Sequence, residues 1–427
     1  MSRRGADTLP QAWPYHAVMA DDEAGSGRGE PDFNPFANLP LFGDLAKALQ
    51  GQGPLNWDAA KQFAALASSG AGVGPGGVAT PGAGEGNVEP TVRIAYENLI
   101  PIADMHVRDV TGHEGASASL ELVTPGTWAQ RTLEAYRPLF TDLAVSLTRA
   151  PDGIDVPDDD AAADPMMAMM AGLSQMMAPA MMGMSIGSMV GRLGLRAFGQ
   201  YDLPIPRSSS TLLVVPRTVD QFAEEWSLPL DEMRLWVLAQ ELIGHTVYSH
   251  AATREAITSL VQRHVGAFRP DPSSVSDKLA ELDLEGTDPM SALQKAFADP
   301  EVLLGAVRSP EQVAMAPVLD ASTAAVVGYV DYMVDAVAAR LIGGDALRIA
   351  EAVRRRRIEA AAEDVFIERL LGLQVTAALV QRGKNFVAGI VDRAGESSLS
   401  QLFATATSLP TPAELDAPGL WLARIQL

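Results

Sequence analysis

The run Leu235-Trp-Val-Leu-Ala-Gln240-Glu241-Leu-Ile-Gly244-His245-Thr-Val-Tyr-Ser-His250 decides how the rest of the chain is read. Pro229 stands in a first-turn position with Asp231 and Glu232 behind it, as a helix N-terminus prefers, so one helix is expected to about Ser249. At about 100° per residue, Leu235, Leu238, Ala239 and Leu242 share a stripe, and Val237, Gln240, Glu241, Gly244 and Tyr248 lie broadly opposite. Trp236, Ile243 and Val247 are apolar too. A helix that is apolar nearly all round is a buried one, which makes it the axis of a mainly α-helical fold. A glutamate there is costly unless something pairs with it. Arg234, Arg254 or another cation is the expected partner of Glu241, and a protonated carboxyl is the other solution.

The polar residues of this helix have a spacing with chemical meaning. A His-Glu-x-x-His helix grips zinc with two imidazoles one turn apart and sets a glutamate beside the first to deprotonate the bound water. Glu241 stands at the position of that base, but Gln240 and Gly244 fill the two ligand positions. An amide is a negligible zinc ligand, and glycine offers no side chain at all. Glu241 therefore reads as a vestigial general base, and no metal is expected at the degenerate positions. The alternative is a rebuilt zinc site using His245, one turn from Glu241, with His250 five residues further on. His16, His106, His113 and His264 have no partners at ligand spacing.

Composition narrows the classes. The chain has 427 residues, 47% of them hydrophobic, enough for a large core in two or three lobes. Thirty-two basic against fifty-three acidic residues give a formal charge of −21, which argues against a nucleic-acid partner. With no cysteine there is neither a disulfide framework nor a thiolate site. Met1 to Asp32 has no apolar run of signal-peptide length, so a cytoplasmic location is expected.

Along the chain, residues 1–35 are polar and Gly/Pro-rich and read as disordered, and 36–67 as a short helical hairpin. Residues 68–87 form a Gly/Ala/Pro linker, after which the body runs from 88 to 427. Thr91 to Arg149 is helical in pattern and ends in the acidic run Asp155–Asp164, a solvated loop. The Met-rich tract from Met166 to Met189 is broken by Gln175 and Pro179 into pieces shorter than the roughly 20 residues a membrane span requires. Gly183, Gly187 and Gly191 leave one face bare, so a neighbouring backbone can approach closely. That face is either core packing or the contact of an oligomer. Thr211–Val215 is the clearest strand, closed by Pro216. Arg354–Arg357 could hold an anion, but a solvated face or salt bridges to Glu351, Glu359 and Glu363 is the favoured reading, and Arg382, Lys384 and Arg393 could line a pocket or equally be surface.

Several stretches carry a family resemblance: Asn34-Pro-Phe, Gly53-Pro-Leu-Asn-Trp57, Leu370-Leu-Gly-Leu373, and the ending Leu409-Pro-Thr-Pro-Ala-Glu-Leu-Asp-Ala-Pro-Gly-Leu-Trp-Leu-Ala-Arg424. In these the chain resembles the actinobacterial zincin-like metallopeptidase type 2 family, whose members are classed as hydrolases and associated by gene context with deazaflavin-coenzyme biosynthesis. The resemblance implies a helical zincin-like body with at most a small strand element, and places the metal-binding helix at Leu235–Tyr248. It also implies that Val327, Gly328 and Tyr329 stand where relatives carry Glu-Gly-His ahead of acidic positions such as Asp331 and Asp335. With Gln240 and Gly244 at the ligand positions, the function expected is a catalytically silent scaffold that binds a protein or peptide. An active zinc hydrolase with unusual ligands and a structural assembly subunit are the alternatives.

Overall fold

The computed structural model describes residues 53–69, 87–112, 119–148, 165–270, 306–307, 309–359 and 366–425. The expectations for residues 1–35, for most of 68–87, for the first half of the hairpin and for Asp155–Asp164 lie outside them. In chain order the elements are α1 (Trp57–Ser68), α2 (Pro90–Thr111), β1 (Ser119–Leu122), α3 (Pro125–Ala135), α4 (Arg137–Thr148), α5 (Pro165–Gly194) and β2 (Thr211–Val214). They continue as α6 (Pro216–Glu225), α7 (Leu230–Ser249), α8 (Ala251–Gly266), β3 (Arg269–Pro270), β4 (Ala306–Val307) and α9 (Pro310–Leu341). The last are α10 (Ala346–Ile358), α11 (Phe366–Leu370), α12 (Ala377–Ala394), α13 (Pro412–Asp416) and α14 (Pro418–Ile425). The fold is mainly α, as expected.

α7 is the axis. Pro229 caps it, Asp231 and Glu232 sit in its first turn, and every residue from Trp236 to Tyr248 is buried. It packs against α2, α6, α9 and β2. Alongside it runs α9, whose start is fixed by a capping box: Gln312 N–H donates to Ser309 Oγ, and Ser309 N–H donates back to Gln312 Oε1. α9 is long and apolar enough to cross a membrane, yet 61% of its most apolar window is buried inside the molecule, the mark of a core helix.

Glycines set the two tightest helix contacts. The bare face of α5 is filled from within the chain by α1: a Cβ on Gly187 would lie 2.1 Å from the Ala60 carbonyl oxygen, and one on Gly183 would lie 2.3 Å from that of Asn56. The core-packing reading of the glycine repeat thus has its partner helix. Across the molecule, Gly328 of α9 meets Gly383 of α12, where a Cβ on Gly383 would lie 1.9 Å from the Ala324 carbonyl oxygen.

Periodicity missed β1 and the two-residue strands β3 and β4. Ser119–Leu122 falls inside the stretch read as helix, but it pairs in parallel with β2, from Ser119 opposite Thr211 to Leu122 opposite Val214. Four residues are too few to break a helical pattern that resumes at Pro125. The strand expected at Thr211–Val215 is present one residue shorter, and Pro216 opens α6 instead of merely ending the strand.

Candidate functional site

The turn from Phe198 to Asp202 is held against α7 from three sides. Gly199 forms an antiparallel bridge with Val214, Val215 N–H donates to Phe198 O at 2.8 Å, and Trp128 Nε1 donates to Gly199 O at 2.8 Å. Asp202 closes the turn by accepting from Gly199 N–H at 2.9 Å and from Phe198 N–H.

This turn is the partner of Glu241. The carboxylate is fully buried and accepts the Tyr201 N–H, at 3.0 Å to Oε2 and 3.3 Å to Oε1. It lies so close to the turn that a Cβ on Gly199 would sit 2.4 Å from Glu241 Cδ. The expected cations are engaged elsewhere: Arg234 grips Asp220 with Nε at 2.9 Å and Nη2 at 2.6 Å, and Arg254 donates to Tyr248 O. A backbone amide thus replaces the arginine that charge balance suggests. Burial pushes the Glu241 carboxyl well above the usual carboxylate range, and Asp202 adds to the rise; the Tyr201 and Gln200 N–H groups and Arg207 oppose it. Burial thus disfavours the ionised form of Glu241.

Tyr201 covers the second ligand position. A Cβ on Gly244 would lie 2.9 Å from Cδ2 of the Tyr201 ring, which also stacks on Tyr248 with centroids 5.1 Å apart. The Tyr201 hydroxyl lies 3.1 Å from His245 Nδ1. Burial raises the phenol pKa and lowers that of His245, so a protonated hydroxyl meets a neutral imidazole. The hydrogen bond they share occupies His245 Nδ1. Tyr201 bridges Glu241 and His245, one through its backbone and one through its hydroxyl. His250 is not drawn in: its ring stacks on Phe403 at 6.1 Å.

Gln240, Gly244 and Val327 do converge. All three line one cavity of about 40 Å³, together with Tyr201, Tyr248 and Asp331. Tyr329 turns away to meet Phe403 edge-on at 4.8 Å. The positions at which the resemblance implies ligands are therefore neighbours in space, but they hold an amide, no side chain and a valine. Asp331 and Asp335 are committed to the arginine cluster: Arg357 Nη1 lies 3.3 Å from Asp331, and Arg354 Nη2 lies 2.6 Å from Asp335. Among the described residues, no three His, Cys, Asp or Glu side chains come together as a metal cage. These residues do not fit a zinc ion.

The small cavity adjoins a larger one of about 340 Å³, which shares Tyr201, Pro204, Gln240, Val327 and Arg357 with it. Four arginines line the larger cavity, Arg196, Arg356, Arg357 and Arg369, against two carboxylates, Asp202 and Glu368. Arg196 pairs with Glu368. Arg356 lies flat on Phe198, its guanidinium carbon 3.6 Å from the ring centroid, and lies 3.7 Å from Asp202. Burial pushes it down to about 10, which still leaves it charged at neutral pH. Of the salt bridges expected for this cluster, Arg355 with Glu359 is present at 2.7 Å; Arg354 and Arg357 reach across to α9 instead. Consecutive residues on a helix point in different directions, and three of the four face the core. Arg382 pairs at the surface with Asp416 at 2.8 Å.

The sequence reading missed Gly199, Tyr201, Asp202 and Arg196. The run Gly199-Gln-Tyr-Asp-Leu-Pro204-Ile-Pro206 carries turn chemistry, which marks a loop but not the helix it closes on.

Residues 55–422 match the zincin-like metallopeptidase family, and the chain belongs to it. A crystal structure from Chloroflexus aurantiacus, described as that of a "putative hydrolase with a novel fold", is similar with a TM-score of 0.57 at 19% identity, covering 87% of this chain and 99% of that one. At that identity the likeness speaks for the fold. No curated protein matches the chain.

Proposed function

We propose that this chain is a catalytically silent zincin-like protein of the cytoplasm, which binds no zinc at the family's helix and works by binding a peptide or protein segment in the cleft beside it. The observation that carries the reading is Tyr201. Its ring lies on Gly244, its hydroxyl occupies His245 Nδ1, and its backbone N–H takes up the carboxyl of Glu241. One residue disengages each group that a hydrolytic site on this helix would use. Glu241 is fully buried and is absent from the walls of both cavities, so its carboxyl is turned into the protein and away from a water in the cleft.

A peptidase assay tests the reading. Full-length protein in zinc-supplemented buffer, given denatured casein or a mixed peptide library, is expected to yield the same background cleavage as its Glu241→Gln variant. Turnover by the parent that Glu241→Gln abolishes would overturn the proposal.

A further inference from the structure

We infer that the arginine-lined cavity takes the C-terminal end of a short peptide, its carboxylate against the arginines and a backbone N–H on Gln240; this rests on the binding reading above and names its ligand. Two independent observations point to those groups. The first is charge: four arginines line one cavity of a chain whose net charge is −21, and only three of them, Arg196, Arg356 and Arg357, have carboxylates beside them, in Glu368, Asp202 and Asp331. Arg369 is exposed and, among the described residues, makes no ion pair. Arg196 keeps a buried Nε with no hydrogen-bond partner. The N-terminus of α12 opens on the same space through Thr376 and Ala377, adding the partial positive charge of a helix start. A planar carboxylate matches the fork of a guanidinium.

The second observation is Gln240. It is 7% exposed, lines the cavity, and its Oε1 has no partner among the described residues. A buried carbonyl oxygen without a donor carries a desolvation cost that a ligand N–H relieves. A fully ionised inorganic anion such as sulfate is all acceptor and cannot supply that proton. A peptide end carries both groups, a carboxylate and, just before it, an amide N–H. Val327, Val353, Leu373 and Val375 give the cavity an apolar wall for the terminal side chain. About 340 Å³ lies in the range of small-ligand sites and holds two or three residues of peptide.

Calorimetric titration of the full-length protein with three probes tests this: N-acetyl-leucyl-alanine as the free acid, its C-terminal amide, and inorganic sulfate. The acid is expected to bind saturably, the amide about tenfold more weakly or worse, and sulfate more weakly than the acid, since the amide loses the charge and sulfate has no hydrogen-bond donor. Arg369→Ala should weaken the acid about tenfold and Arg369→Glu more, both at an unchanged melting temperature, because that side chain is exposed. Equal affinity for acid and amide, sulfate binding as tightly as the acid, no binding of any probe, or indifference to both Arg369 variants would each overturn the inference. Cleavage of the bound peptide would instead overturn the silent reading while leaving this one standing, and absence of binding leaves that reading to the peptidase assay.

Discussion

Replacing Gly383 by alanine is expected to lower the unfolding free energy by about 3 kcal/mol, the upper end of what overpacking a rigid contact costs. The new methyl would have to occupy a point 1.9 Å from the Ala324 carbonyl oxygen. Both the methyl and that oxygen are fixed to helix backbone, so no side-chain rotation relieves the clash and α12 must move off α9. The consequence reaches the site, because α9 carries Val327 and the start of α12 carries Thr376 and Ala377, all on the wall of the arginine-lined cavity. Urea unfolding of the full chain checks it, with Gly344→Ala as control, since a Cβ there meets nothing within 4 Å. A Gly383→Ala variant within about 0.5 kcal/mol of the parent would show that the two helices do not interlock as described.

Glu241→Gln is expected to stabilise the protein at neutral pH and to remove part of its pH dependence. The folded state holds this carboxyl above its unfolded value, mainly by burial. Between the unfolded pKa of about 4.3 and the raised folded one, the folded protein therefore binds more protons than the unfolded chain. The stability this acid permits is fully present below the lower value and is lost as pH rises toward the upper one, at up to about 1.4 kcal/mol per pH unit. Glutamine keeps an acceptor for the Tyr201 N–H and has no proton to lose, so parent and variant should diverge as pH rises, the variant gaining. Denaturation midpoints measured from pH 4 to 8 decide the matter. A variant that loses stability relative to the parent as pH rises would mean that Glu241 is an ordinary paired carboxylate.

The fold was legible where the sequence carries its own period. α7 emerges within a residue of its expected ends because Pro229, Asp231 and Glu232 mark its start, and an all-round apolar pattern left burial as the only outcome. The glycine repeat foretold a close helix neighbour, though not that α1 supplies it, since spacing reveals the bare face and not its occupant. β1 was hidden because four residues beside Pro125 cannot establish a period of two. The site was legible in half. Gln240, Glu241 and Gly244 were singled out by their spacing, and Val327 was placed beside them only through the resemblance. What covers Gly244 is a loop forty residues upstream of Glu241 in the chain, and no local pattern says which loop a helix will meet. The partner of Glu241 went unseen for the same reason: composition suggests an arginine, but a backbone N–H has no letter in a sequence.

The most direct test of the account is a zinc titration of metal-stripped, full-length protein by calorimetry, run on the parent and on His245→Ala. Since Tyr201 engages Gly244, His245 and Glu241 together, the two proteins are expected to give the same weak, unsaturable heats. One zinc bound saturably per chain by the parent and lost in His245→Ala would contradict it.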